Sequence, residues 1–163
     1  MIRKAILAEL DQIDQIALNA ISNMKKSGIK QWDDNYPRYE HFAKDIENGI
    51  LFVCERNKEI YGVMALMLQQ DSAYLTISSW ITSPENSLVI HRVVVDPKHA
   101  RTGVFEELLM FAKDHAKKNQ KTAIKIDTHD SNYKMRSFLE KHGFRHVGYL
   151  ESIDRQAYEL ILD

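Results

Sequence analysis

VIHRVVVDPKHARTGVFEELL, residues 89–109, sets the reading of the whole chain. Its first seven residues are rich in β-branched side chains and too apolar for a strand with one face in water, so they predict a strand central to a sheet. Val104, Leu108, Leu109, Ala112 and Ala116 then recur at helical spacing through Lys117, and AIKIDT (Ala123 to Thr128) alternates as a second strand. The unit is strand, helix, strand. Between the first strand and the helix lies Pro97-Lys98-His99-Ala100-Arg101-Thr102-Gly103. Free backbone N–H groups and the positive end of a helix dipole converge at such a place, which suits phosphate. Gly103 lets the backbone approach a ligand closely, and Arg101 and Lys98 can add charge. One glycine before a helix is equally an ordinary strand-to-helix turn.

Working outward, Ile2 to Leu7 predicts a short first strand. Leu10, Ile13, Ile16, Ala17, Ala20 and Ile21 follow as one apolar stripe, giving a helix from about Ala8 to Lys25. A loop with Trp32, Tyr36 and Pro37 precedes a helical stretch from Tyr39 to Asn48 that stops at Gly49. Ile50 to Glu55 and Ile60 to Leu68 flank Asn57-Lys58-Glu59 as an antiparallel pair. Gln69 to Ser87 has no clear period. Asp130 or Ser131 can cap a helix carrying Met135, Phe138, Leu139 and His142 on one face and ending at Gly143. His146 to Leu150 and Gln156 to Ile161 read as the last two strands.

The 163 residues fit one domain, residues 1–163, with no internal repeat or linker. Twenty-two basic and 23 acidic side chains leave a formal charge of -1, which draws the chain to neither nucleic acid nor an anionic membrane. No face clusters Lys and Arg with interleaved aromatics, and no run reaches membrane-spanning length. Acids at Glu9, Asp11 and Asp14 interrupt what would be the apolar stretch of a signal peptide, and Cys54 is the only cysteine. The expectation is a cytoplasmic protein without disulfides, monomer or homodimer. No metal site is expected: His142 and His146 are four apart, but Gly143 ends the helix that would align them.

The order VIHRVVVDPKHARTGVFEELL, IKIDTH, NYKMRSFLEKHGF resembles the core of GNAT N-acetyltransferases. The resemblance implies an α/β fold: a central mixed, mostly antiparallel twisted sheet of about six to seven strands flanked by about four helices. It further implies acetyl-CoA as co-substrate. The strand ending at Asp96, with Val93, Val94 and Val95, would offer main-chain groups to the pantetheine arm. The loop from Ala100 through Arg101, Thr102, Gly103 and Val104 to Phe105 would wrap the pyrophosphate. Gly103 matches the family pattern there, whereas Ala100 replaces the usual Gln or Arg and Phe105 a small residue. Asn132, Gly143 and Phe144 match the helix that lies along the cofactor arm, where Met135 stands at a position often held by Ala. Leu139 replaces the tyrosine that protonates the departing thiolate in many members. The acceptor side, by the same resemblance, brings in Trp32, Asp33, Asp34, Tyr36, Tyr74 and Trp80, each of which can equally be a core or hinge residue.

Amine acetylation needs a neutral nucleophile, so an alkylammonium must lose a proton before attacking the thioester. His91, on the central strand with the parity of Val93 and Val95, is the first candidate base, and His129 at the end of the next strand is the second. Asp127 is an outsider. For each histidine the plain alternative is a satisfied structural imidazole. The reading is an N-acetyltransferase moving acetyl to a primary amine of a small molecule or peptide by direct transfer. A module of the same fold that holds acetyl-CoA or CoA without catalysis is the alternative.

Overall fold

The computed structural model describes all residues from Met1 to Asp163. Seven strands are present: β1 (Ile2–Lys4), β2 (Leu51–Arg56), β3 (Glu59–Met67), β4 (Ser87–Val95), β5 (Ala123–Thr128), β6 (Arg145–Leu150) and β7 (Arg155–Ile161). Four helices accompany them: α1 (Leu10–Lys26), α2 (Tyr39–Glu47), α3 (Val104–Lys118) and α4 (Tyr133–Lys141). The strands hydrogen-bond in the order β1-β2-β3-β4-β5-β7-β6. The β1–β2, β2–β3, β5–β7 and β6–β7 pairs are antiparallel and β4–β5 is parallel. This is the expected mixed α/β sheet with four helices. No helix is long and apolar enough to cross a membrane.

The chain forms two compact units, one from Met1–Leu66 with Arg92–Phe111 and the other from Met67–His91 with Ala112–Asp163. In the first, the apolar stripe of α1 (Ile13, Ile16, Ala17, Ala20, Ile21) is buried with Phe42 of α2, Leu51 and Val53 of β2, Val63 and Ala65 of β3, and Val94 of β4. β1 is three residues long rather than six, because Ile6 is exposed and Leu7–Glu9 turn into a 3-10 helix that leads into α1. Arg3 holds that corner, bonding Glu55 at 2.7 Å and both oxygens of Glu9. α1 ends with Lys25 and Lys26 in its last turn, where cations suit the dipole. The β2–β3 turn is tighter than expected: Asn57 (φ 53°) and Lys58 (φ 63°) are both left-handed, as a two-residue hairpin with matching twist requires. Gly62 in β3 is needed for close approach, since a Cβ there would lie 3.0 Å from the Val94 carbonyl oxygen and 3.1 Å from Val104 Cγ1.

In the second unit, Tyr74, Val89, Leu150 and Ala157 form a smaller core, with Met67, Ile77, Trp80 and Val147 packed on it. The segment without clear period, 69–87, is mostly irregular, with 3-10 turns at Ser72–Thr76 and Pro84–Asn86. Two fully buried charged residues fasten it. Glu159 of β7 accepts from the amides of Ile81 (2.6 Å) and Thr82 (3.0 Å) and from the Thr82 hydroxyl (2.5 Å). Its cross-strand neighbour Lys125 donates to the Thr82 carbonyl at 2.9 Å and lies 4.7 Å from the centre of the Trp80 ring. Burial pushes the Lys125 ammonium below the ordinary lysine value, with Glu159 and Glu85 opposing. The cap of α4 is Asn132, whose side chain accepts from the Met135 amide at 3.2 Å, and not Asp130 or Ser131.

Gly62→Ala is expected to destabilise the protein by about 1–3 kcal/mol through overpacking, read as a lower urea midpoint at unchanged slope. Glu159→Gln keeps the side-chain volume but removes acceptor capacity. Hydrogen exchange at Ile81 and Thr82 should accelerate in this variant well before global unfolding, and unchanged protection would show that Glu159 does not anchor the segment.

Candidate active site

In the first unit, Asp96 closes β4 by donating its amide to the Tyr61 carbonyl at 2.9 Å, and its side chain accepts from the Lys98 amide. The loop that follows has two left-handed residues, Arg101 (φ 63°) and Gly103 (φ 79°), flanking Thr102. Alternation of this kind turns successive N–H groups toward one concavity, an anion-binding nest. The loop is pinned from behind. Thr102 Oγ1 donates to the His99 carbonyl at 2.6 Å, and the Thr102 carbonyl accepts from Arg56 Nη1 at 3.0 Å. The amides of Arg101, Thr102 and Gly103 donate to no protein group, and a Cβ on Gly103 would meet nothing within 4 Å, so the loop is open at Gly103. Ala100, Arg101, Thr102 and Gly103 are exposed, Phe105 is half-buried and Val104 is buried at the start of α3.

Charge at this loop comes from Arg101. Lys98 is ion-paired with Glu59, and His99 stacks on Tyr61 at 3.5 Å with Nε2 3.3 Å from the same carboxylate. The bonds from Lys98 and His99 hold Glu59 below the usual carboxylate range. Glu107, in the first turn of α3, would oppose an anion, but Arg56 bonds it at 2.8 Å and the N-terminal ammonium lies 3.3 Å away. A pinned loop with free amides at a helix start can therefore hold a phosphate group.

On β4, Arg92 is left-handed (φ 46°), a kink inside a strand. Its guanidinium meets buried Asp45 of α2 through Nε (2.5 Å) and Nη2 (2.8 Å), while Nη1 donates to the Tyr36 hydroxyl at 3.0 Å. Tyr36 is 37% exposed and packs edge-on against His41. Trp32 is 8% exposed within the core, so the structure spends it on packing rather than on a ligand. Asp33 accepts from the amides of Asn35 and Tyr36, and Asp34 pairs with Lys25 at 2.7 Å, so both acids are engaged locally.

In the second unit, the β4–β5 ladder runs from Ser87↔Ala123 to Val89↔Lys125. Two residues further on each strand stand His91 and Asp127. His91 Nδ1 is 3.9 Å from Asp127 Oδ2, and Nε2 is 2.9 Å from Asp71 Oδ2 but without hydrogen-bond geometry, so that contact is electrostatic. Asp127 Oδ2 accepts from the Tyr74 hydroxyl at 2.6 Å, and Oδ1 lies 3.8 Å from Arg155 Nε. Tyr74 is stacked on Trp80, whose Nε1 donates to the Tyr74 carbonyl at 2.7 Å. Trp80 thus supports the Tyr74 backbone and covers Lys125.

His129 is committed differently. Its Nδ1 accepts from the Ser131 amide at 3.1 Å, which leaves the proton on Nε2 to face Asp154 at 3.2 Å. An imidazole whose lone pair already receives an N–H is a poor proton acceptor for a substrate. Asp71 as a partner of His91 and Arg155 as a partner of Asp127 were not legible, since Asp71 lies in the segment without period and Arg155 at the very start of the last strand. Tyr74 and Asp127 carried a signal: Asp127 ends an alternating strand that the sequence places beside β4. Met135 is half-buried on α4, and Leu139, which carries no hydroxyl, is buried.

Residues 17–144 match the Acetyltransferase (GNAT) family. No curated protein matches the sequence with significance. Among solved structures, an acetyltransferase of the GNAT family from Streptococcus agalactiae superposes with a TM-score of 0.90 at 25% identity, over 100% of this chain and 95% of that one. The PaiA N-acetyltransferase of Thermoplasma acidophilum, solved with coenzyme A, gives 0.72 at 18% identity over 99% and 98%. N-acetylglutamate synthase of Neisseria gonorrhoeae, solved with coenzyme A and N-acetyl-glutamate, gives 0.69 at 16% identity over 100% of this chain and 35% of that one. With most of its length matched and its seven-stranded sheet shared, this chain belongs to the GNAT family of acetyltransferases.

Proposed function

We propose that the protein moves the acetyl group of acetyl-CoA directly to a primary amine of a small molecule or peptide. The observation that carries this reading is the loop before α3, with amides free on Arg101, Thr102 and Gly103 and two left-handed residues that direct them outward. It would hold the pyrophosphate, with Ala100, Val104 and Phe105 completing the loop. Main-chain groups of Val93, Val94 and Val95 would meet the pantetheine arm, and the Val93 N–H would polarise the thioester carbonyl. Asn132 and Met135 would flank the same arm.

His91 is the proposed base, directly or through one water, with the Asp71 carboxylate 2.9 Å from its Nε2 and that of Asp127 3.9 Å from its Nδ1. The amine nitrogen then forms the new C–N bond as the C–S bond breaks, with the electron pair leaving on CoA sulfur. With leucine at 139, solvent supplies the proton for that thiolate. His129 is the weaker base candidate for the reason given above. Tyr36, exposed beside α2, and Trp80 are proposed for the acceptor side, with Trp32 packed in the core. Buried, unpaired Cys54 fits a reducing cytoplasm, and the protein is proposed to work there as a monomer or homodimer.

Isothermal titration with acetyl-CoA and CoA is expected to give saturable binding that Gly103→Trp abolishes, because the new side chain fills the open space before the loop. No binding to the wild type at millimolar ligand would sink the reading. His91→Ala is expected to lower turnover on an amine panel about tenfold or more with acetyl-CoA binding retained. Unchanged turnover would remove His91 from the mechanism, and binding without any turnover in the wild type would favour a non-catalytic CoA-binding module.

A further inference from the structure

Two local rules are broken at the same contact. Asp45 lies on the buried face of α2, three residues from fully buried Phe42, where the amphipathic pattern calls for an apolar side chain. Arg92, its partner, holds a left-handed conformation that disfavours any residue with a Cβ, in the middle of a strand where glycine would be the ordinary choice. Neither is explained by stability alone, since a buried ion pair contributes little net stability compared with a well-packed apolar pair. Coincident violations of local preference mark strain kept for function. Arg92 is, moreover, the single residue between His91 and Val93.

We infer that Asp45 and Arg92 form a positioning pair for acetyl transfer, in which the Asp45 carboxylate clamps the Arg92 guanidinium and so holds the kink that sets the direction of the Val93 N–H. The clamp has the geometry this requires. Two parallel N–H···O bonds fix the guanidinium plane, and a third bond to the Tyr36 hydroxyl removes its remaining rotation. Asp45 is 4% exposed, so water does not compete for the pair. The guanidinium bonds Asp45 and Tyr36 and no group of the proposed phosphate loop, so its effect falls on the transfer step rather than on donor affinity. This inference rests on the acetyl-transfer reading above.

The test compares wild type, Asp45→Asn, Arg92→Lys and the double variant Asp45→Asn/Arg92→Gly, measuring kcat on an accepted amine, acetyl-CoA Kd by titration, and the thermal midpoint. Asp45→Asn should lower kcat at least tenfold with Kd within about twofold of wild type. Arg92→Lys, which keeps the charge beside Asp45 but loses the paired bonds, should fall between, and it serves if Asp45→Asn does not fold. Glycine takes the left-handed conformation freely, so the double variant should recover kcat at least threefold over Asp45→Asn. Either kcat within twofold of wild type in both single variants, or kcat and Kd declining together with the thermal midpoint and no recovery with glycine, overturns the positioning role while leaving acetyl transfer intact. A wild type that binds no acetyl-CoA, or binds it without turnover, overturns both.

Discussion

The parallel ladder between β4 and β5 extends only from Ser87↔Ala123 to Val89↔Lys125, and the β4 edge beyond it is released from that ladder. Backbone amides and carbonyls cannot go without partners, so a buried strand that stops pairing early must be given something else to bond. β4 is uncommonly apolar and cannot drift into solvent to solve the problem. The kink at Arg92 sits in the released part of the strand, and the loop with free amides begins where the strand ends. Past the end of the strand the amides of Arg101, Thr102 and Gly103 are left without a protein partner, an arrangement that can accommodate a phosphate.

Around this strand the protein keeps its charges inside by binding them to backbone and to one another. Arg92 meets Asp45, Glu159 meets two amides, and Lys125 meets a carbonyl and the face of Trp80. Buried charge is costly when unpaired, so each such group fixes the position of its partners more firmly than an apolar contact would. His91 differs from them in that its Nε2 has a carboxylate nearby and no directed bond.

Much of this could be read before any coordinates. The elements from Val89 to Thr128 were legible because a β-branched run, a helical stripe and an alternating strand each have their own period, and their order resembles one family. Boundaries slipped where tertiary contacts override period: β1 shortens because Arg3 and Glu9 turn the chain early, and Asn132 takes the cap of α4 from its neighbours. For Trp32 and the Asp33-Asp34 pair the sequence left a site role and a structural role both open, and they are engaged in packing, a turn and an ion pair, since burial and pairing depend on neighbours distant in the chain. Asp45 and Arg92, 47 residues apart, could not be matched by spacing at all.

The way Glu159 and Lys125 grip residues 81 and 82 has a consequence for how the protein can change. Apart from the Thr82 hydroxyl and the Trp80 ring, the groups they bind are main-chain amides and a carbonyl, which every residue but proline supplies in full. The exposed side chains of the segment from Gln69 to Asn86 are therefore free to vary without loosening its attachment. If this segment meets the acceptor, selection can rewrite substrate preference there while two buried strand residues keep the frame in register.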